Sequence, residues 1–264
     1  MADWDPEHYL VWADERGRPF VDLLARVAPS APPRTVVDLG CGPGNLTAML
    51  AERWPEADVL GVDSSPAMVA EARRRAAPRV RWSEGDLRDW APDRPVDVLV
   101  SNATLQWVPG HLDLLPRLVD AVAPGGVLAF GVPGNLGEPS HELRRRLAAE
   151  PVYVEHTRGV AVPHAHDPAD YARALTVLGC TVDAWETTYL HVLTGEDPVF
   201  TWVSSTGARP TLDALPDALR PGFEAELRSR LREAYPPEPD GSVLLPFRRV
   251  FVVARVRGAG AARV

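Results

Sequence analysis

Three glycines at alternate positions follow an acid in Asp38-Leu39-Gly40-Cys41-Gly42-Pro43-Gly44-Asn45, directly after the β-branched run Thr35-Val36-Val37. Glycine permits positive φ and close approach of the main chain to a ligand, and the helix predicted from Asn45 places its N-terminus beside the loop. The spacing is G-x-G-x-G, and Asn45 stands where a dinucleotide fingerprint needs its third glycine. That disfavours a dehydrogenase. An acid closing the preceding strand suits a cationic, phosphate-free ligand better than a pyrophosphate. Two further acids, Asp63 and Asp86, fall at the ends of the next two predicted strands. An acid ending the second strand can accept both hydroxyls of a ribose, and one after the third, in Glu84-Gly85-Asp86-Leu87, can accept an exocyclic amino group. Each alone also reads as a helix cap or turn residue.

These residues need a frame that delivers them to one edge. Strands are predicted over 35–39, 58–63, 80–82, 96–101 and 127–132, and helices over 19–27, 45–54, 66–76 and 112–122, with Pro124-Gly125-Gly126 as a turn before the fifth strand. Such alternation predicts an α/β fold, Rossmann-like and doubly wound, with a mostly parallel sheet whose ligands sit at the carboxyl ends of the strands. The pattern then breaks. Residues 138–170 and 195–240 read as helices and loops, whereas 182–193 and 247–256 are long β-type runs. The expected organisation is a 1–33 N-terminal lid and a 34–135 core completed by 180–194 and 243–257, its last strand antiparallel. Segments 136–179 and 195–242 form a helical cap inserted over an acceptor site.

Of 264 residues 45% are hydrophobic and 24% charged, ordinary values for a globular chain. A net charge of −8 disfavours affinity built on neutralising phosphates, so nucleic acid is not an expected partner. Apolar stretches fall far short of the roughly 20 residues that cross a bilayer, and the acidic start lacks the pattern of a signal peptide. Cys41 and Cys180, the two cysteines, have no metal spacing and are expected to stay reduced. A cytoplasmic protein, monomer or weak dimer, is expected.

Over residues 34–135 the chain resembles the class I S-adenosylmethionine-dependent methyltransferases. The resemblance implies Gly40, Gly42 and Gly44 around the methionine portion, with Asp38 beneath them. It implies Asp63 and Ser64 at the ribose, Asp86 and Leu87 at the adenine, Asn102 with Ser101 and Ala103 lining the sulfonium, and Trp12 among the cofactor-binding residues. No metal and no catalytic side chain are implied. Outside the core, Trp4–Leu10, Asn102–Trp107, Trp185–His191, Trp202–Pro210 and Leu244–Arg249 look like a subfamily that forms the methyl ester of a tricarboxylic acid, trans-aconitate. A carboxylate is nucleophilic enough at neutral pH that transfer needs alignment rather than a general base. A polyanion needs guanidinium forks and single donors. Arg209, in Thr206-Gly207-Ala208-Arg209-Pro210, is the first candidate, with Gln106, Trp107, Tyr189, His191, Trp202 and Arg248 around it. The alternatives are plain: Arg248 as a solvated edge charge, His191 as a satisfied sheet histidine, and the tryptophans as packing. A hydroxyl- or nitrogen-methylating enzyme would need a base, for which His191 or His111 are candidates. A third possibility is a binding module without turnover.

Overall fold

The structure, a computed structural model, describes residues 13–75 and 79–258. The described elements, in chain order, are α1 (Ala13–Ala25), β1 (Thr35–Leu39), α2 (Thr47–Arg53), β2 (Asp58–Asp63), α3 (Pro66–Arg75), β3 (Val80–Glu84), β4 (Val96–Asn102), α4 (Leu115–Asp120), β5 (Val122–Pro133), α5 (Pro139–Ala148), α6 (Val154–Thr157), α7 (Pro168–Val177), β6 (Cys180–Leu193), α8 (Pro198–Ser204), α9 (Arg209–Ala214), α10 (Arg220–Ala234) and β7 (Val243–Val256). Short 3-10 turns cover Leu105–Trp107 and His111–Leu114.

Seven strands form one sheet in the order β3-β2-β1-β4-β5-β7-β6. β1 pairs in parallel with β2 and β4, β2 with β3, and β4 with β5, while β7 runs antiparallel to β5. The expected α/β, mostly parallel, doubly wound sheet with an antiparallel last strand is the fold observed. A parallel strand covered on both faces has no polar side to show, and Val36, Val37, Asp38 and Leu39 are accordingly all buried. The start of β1 is tied to β4 by Asp97, whose carboxylate accepts from Arg34 N at 2.8 Å and from Thr35 N and Oγ1 at 3.0 Å each. That clamp fixes the register that brings Leu39 and Ser101 to one edge, where Ser101 Oγ donates to Leu39 O at 2.8 Å.

Two expectations about local structure change. The helix predicted over 112–122 is a 3-10 turn followed by the shorter α4, and Val122 already pairs with Val96. Pro124-Gly125-Gly126 is then not a turn before β5 but an irregularity inside it: Val96 faces Val122 whereas Val98 faces Val127. Gly125, at φ +82°, makes that excursion possible.

The chain groups into two compact units. One holds, of the described residues, 13–75, 79–133, 165–187 and 249–258, and contains the parallel sheet. Its core includes Leu39, Leu99, Leu115, Leu118, Phe130 and Val252. The other groups 134–164 and 188–248, and contains α5, α6, α8, α9 and α10. Within it Phe223, Leu227 and Leu231 of α10 are buried, and the Tyr153 ring meets Phe223 edge-on at 5.0 Å. The expected segmentation shifts at two places. Residues 165–179, assigned from sequence to the cap, belong with the sheet, because Tyr171 and Leu175 of α7 are fully buried and the Tyr171 ring packs edge-on to Phe130 at 5.1 Å. In the N-terminal segment expected as a lid, Phe20, Leu23, Leu24 and Val27 are core residues of the sheet unit.

Candidate active site

The carboxyl ends of β1, β2, β3 and β4 carry the residues singled out by spacing. After β1 the chain reverses through Gly40, Gly42 and Gly44 at φ +80°, +55° and +81°. The loop is pinned from both sides: Gly40 N and Cys41 N donate to Val62 O at 2.7 and 3.0 Å, and Gly42 N donates to Asp63 Oδ2 at 2.9 Å. The glycines are not equivalent. A side chain at Gly40 would collide with Thr104, and a Cβ at Gly44 would lie 2.5 Å from the Trp82 ring and 3.0 Å from Ala72. One at Gly42 would meet nothing within 4 Å. Gly40 and Gly44 are therefore required by the protein's own packing, while Gly42 faces open space where a ligand can lie against the main chain.

The three acids take different states. Asp38 is 3% exposed and accepts from Thr47 Oγ1 at 2.6 Å at the first turn of α2. Burial pushes its carboxyl up to about 7, against the Thr47 bond and with help from the charge of Asp63. It anchors the loop to the helix rather than standing open as an acceptor. Asp63 is also held above the usual carboxylate range, by burial first, despite donors from the backbone of Ser65, Gly42 and Ser64. Its Oδ1 takes Ser65 N at 2.9 Å. Three backbone donors do not use up the roughly four acceptor sites of a carboxylate, so one remains for a further hydroxyl. Ser64 follows directly, partly exposed.

Asp86 differs from the expectation. Its Oδ1 accepts Arg88 N at 2.8 Å, and the Arg88 guanidinium lies across both oxygens, which holds the carboxyl below its ordinary value. This is the turn-residue alternative. An amino group could take the Arg88 place cheaply, because an exposed ion pair contributes only about 0–1 kcal/mol. Leu87 beside it is buried.

After β4, Ala103 adopts φ 54°, a conformation that costs a non-glycine residue about 1–3 kcal/mol. The bend is held by Ala103 N donating to Gly131 O at 2.7 Å and by Gln106 Nε2 donating to Ala103 O at 2.7 Å. It leaves two buried acceptors, Asn102 Oδ1 and Gln106 Oε1, without hydrogen-bond partners among the described residues. Buried orphan acceptors are rare and costly, and here they accompany the open cradle at Gly42 on one sheet edge. A ligand carrying N–H donors and positive charge fits that donor-poor, acidic surface. Trp107 is partly buried at the end of the 3-10 turn. Trp12 lies outside the described residues. Among the described residues no group of His, Cys, Asp and Glu is arranged to hold a metal ion.

The other candidates lie in the second unit. On β6, Tyr189, His191 and Leu193 are buried while Leu190 and Val192 are exposed, the alternation of a strand with one covered face. The His191 ring lies 4.5 Å from Trp202 and 5.6 Å from Phe247, and Trp202 meets Phe247 at 5.6 Å. Arg248 Nη1 donates to Gly134 O at 3.2 Å. Arg209 opens α9, with Nε 3.4 Å from Asp213 Oδ2 one turn on. Sequence reasoning grouped His191 and Trp202 around Arg209; the structure sets the two rings against each other, with Phe247 beside both. It missed Thr47, Thr104 and Trp82, which shape the glycine loop.

A parallel sheet in this order, with a glycine loop after β1 and an acid after β2, defines the class I S-adenosylmethionine-dependent methyltransferases. S-adenosylmethionine is the methyl donor. Residues 36–126 match the family profile of a methyltransferase domain. A trans-aconitate 2-methyltransferase of Streptomyces avermitilis is 53% identical over 264 residues, covering 96% of this chain and 97% of the relative. Another, from Methylobacterium nodulans, is 52% identical over 257 residues, covering 97% and 99%. The chain belongs to the trans-aconitate 2-methyltransferase family. Among solved structures the YcgJ protein of Bacillus subtilis superposes with a TM-score of 0.58 at 12% identity, covering 94% of this chain and 100% of that one, a likeness of fold.

Proposed function

We propose that the protein transfers the methyl group of S-adenosylmethionine to a carboxylate of trans-aconitate, forming a methyl ester and S-adenosylhomocysteine. The observation that carries the reading is the extent of the similarity. Identity of 53% over 96% of the chain spans both compact units, so it covers the acceptor candidates as well as the glycine loop.

The cofactor brings a methyl group already activated on a sulfonium. The chain's own residues then bind and align. Gly42 gives main-chain approach, Asp63 with Ser64 accepts the ribose hydroxyls, and Leu87 with Asp86 bounds the adenine. Asn102 and Gln106 offer their orphaned oxygens to the positively charged end. Arg209 and Arg248 neutralise and orient the acceptor's carboxylates, Tyr189 and His191 add single hydrogen bonds, and Trp202 is an apolar wall. A carboxylate needs no proton removed before it attacks. The bases a hydroxyl or amine acceptor would need fit less well: His111 is fully buried with Nε2 2.7 Å from Tyr171 Oη, and His191 is packed against two aromatic rings. A small acidic metabolite is therefore the partner, with neither nucleic acid nor membrane as substrate. We place the protein in the cytoplasm as a monomer or weak dimer. Two buried, unbridged cysteines accord with that compartment, and no helix of the described residues is long and apolar enough to cross a membrane.

The test is methyl transfer from labelled S-adenosylmethionine to trans-aconitate, with citrate, cis-aconitate and isocitrate in parallel and mass spectrometry of the product. A monomethyl ester formed preferentially from trans-aconitate is the expected result. Tight cofactor binding with no ester from any tricarboxylate would refute the acceptor while leaving the class intact.

A further inference from the structure

We infer that Arg144 is a carboxylate-binding residue of the acceptor site, taking one arm of a polycarboxylate in two parallel hydrogen bonds along its Nε–Nη2 edge. This rests on the polycarboxylate reading above and extends it to a residue that no sequence signal assigned.

Arg144 lies on α5, where Ser140, His141, Arg144 and Leu147 make the buried face. It is 3% exposed. Nη1 donates to Thr211 Oγ1 on α9 at 2.7 Å, which fixes the plane of the guanidinium. Nε and Nη2 are buried and have no acceptor among the described residues. These two nitrogens share one edge of the fork, the edge whose parallel N–H groups match the two oxygens of a carboxylate.

Removing a guanidinium from water without a counter-charge costs several kcal/mol. Neighbouring arginines of the same unit, 28–43% exposed, are both partly solvated and paired with acids. Arg228 has Asp197 and Glu224, Arg230 has Glu150 and Glu226, and Arg220 has Glu224. Around Arg144 the perturbing charge is another cation: burial first, and then Arg145, push the guanidinium down to about 10, with no acid among the described residues offsetting them. The group remains charged at neutral pH. If its task were packing alone, the Thr211 bond could be made by a neutral side chain at no such cost. A bound carboxylate supplies the missing charge and both missing acceptors at once. Seating it requires the packing over this edge to open, and the exclusion of water then strengthens the pair.

The surroundings are those of the acceptor candidates. Thr211 stands two residues after Arg209 on the same short helix, so α9 both carries one guanidinium and orients another. His141, beside Arg144 on α5, lies against the turn that leads into α9: a Cβ at Gly207 would fall 2.8 Å from its Cε1.

The experiment compares the full-length wild type with Arg144→Met, Arg144→Gln and Arg144→Lys. Readouts are KM for trans-aconitate, KM for S-adenosylmethionine, and melting temperature. Losing a two-pronged charged pair is expected to raise KM for trans-aconitate at least tenfold, about 1.4 kcal/mol, with KM for the cofactor unchanged. Arg144→Lys, which keeps the charge and loses the fork, falls between wild type and Arg144→Met, and remains informative if the neutral variants do not fold. An unchanged KM for trans-aconitate in any folded variant overturns the inference, as does an equal rise in both KM values. A wild type that esterifies trans-aconitate beside unaffected variants refutes the role of Arg144 alone. A wild type that neither binds nor esterifies any polycarboxylate refutes the substrate reading itself.

Discussion

Asp38 ties folding stability to pH in a way that one substitution isolates. Its carboxyl rises from 3.8 to about 7, chiefly by burial. Between those two values the folded chain holds a proton there that the unfolded chain has released, so stability falls as pH rises through this window. At 1.36 kcal/mol per unit, the full span is worth up to about 4 kcal/mol, lost by the time pH exceeds the folded value. Asp38→Asn keeps an acceptor for Thr47 Oγ1 and removes the titration. Urea unfolding of both proteins at about pH 5 and about pH 8 should therefore show the wild type losing a few kcal/mol more than the variant. Because the charge of Asp63 contributes to the rise, the variant also eases that neighbour. A cation on the loop favours the ionised form, so the wild type's affinity for S-adenosylmethionine should rise with pH through about 7, and that of Asp38→Asn should not. Parallel stability curves for the two proteins would show that Asp38 is ionised and solvated in the folded state, and the argument from burial would be wrong.

Other perturbations separate folding from binding. Gly42→Ala, in open space at positive φ, is expected to cost only about 1–2 kcal/mol of stability yet weaken the cofactor Kd at least tenfold by calorimetry. Gly40→Ala, which must displace Thr104, should lower the melting temperature more than Gly42→Ala does. Arg209→Ala should raise KM for trans-aconitate with little change in KM for S-adenosylmethionine, and an unchanged value would remove Arg209 from the acceptor site. Tyr171→Phe breaks the bonds from Tyr171 Oη to His111 Nε2 and His166 N. It should destabilise by about 1–3 kcal/mol with steady-state kinetics unaltered.

What could be read in the sequence was whatever a single strand or turn dictates by itself. Val36 and Val37 without alternation announce a strand buried on both faces, and glycines at 40, 42 and 44 announce main-chain reversals, so the glycine-loop edge of the sheet was legible in the sequence. Partnerships across the chain were not. Nothing near Asp86 in the sequence decides whether Arg88 or a ligand takes its carboxylate, and nothing near Gly44 reveals that the Trp82 ring fills the space above it. Helical spacing identified the elements between 138 and 179 as non-sheet structure. It did not tell which compact unit Tyr171 and Leu175 would enter, because a covered face looks the same whatever covers it. Arg144 was hidden for another reason: in Arg144-Arg145-Arg146 it reads as part of a solvated charge run. Only the turn of α5 separates it from its exposed neighbours.

The place of β7 in the sheet bears on how the protein is made. This strand is the last of the described strands, yet it lies between β5 and β6, its Arg255 to Arg249 zipped along Val127 to Pro133. During synthesis the flank of β5 therefore leaves the ribosome long before its partner and stays an open strand edge while everything between them is translated. An exposed edge of Val, Leu, Phe and Ala residues is a template for pairing with other chains. The protein's exposure to aggregation should be greatest in that interval, before Val250 to Val256 have emerged to close the gap, and a chain truncated there would lose an interior strand rather than a dispensable rim.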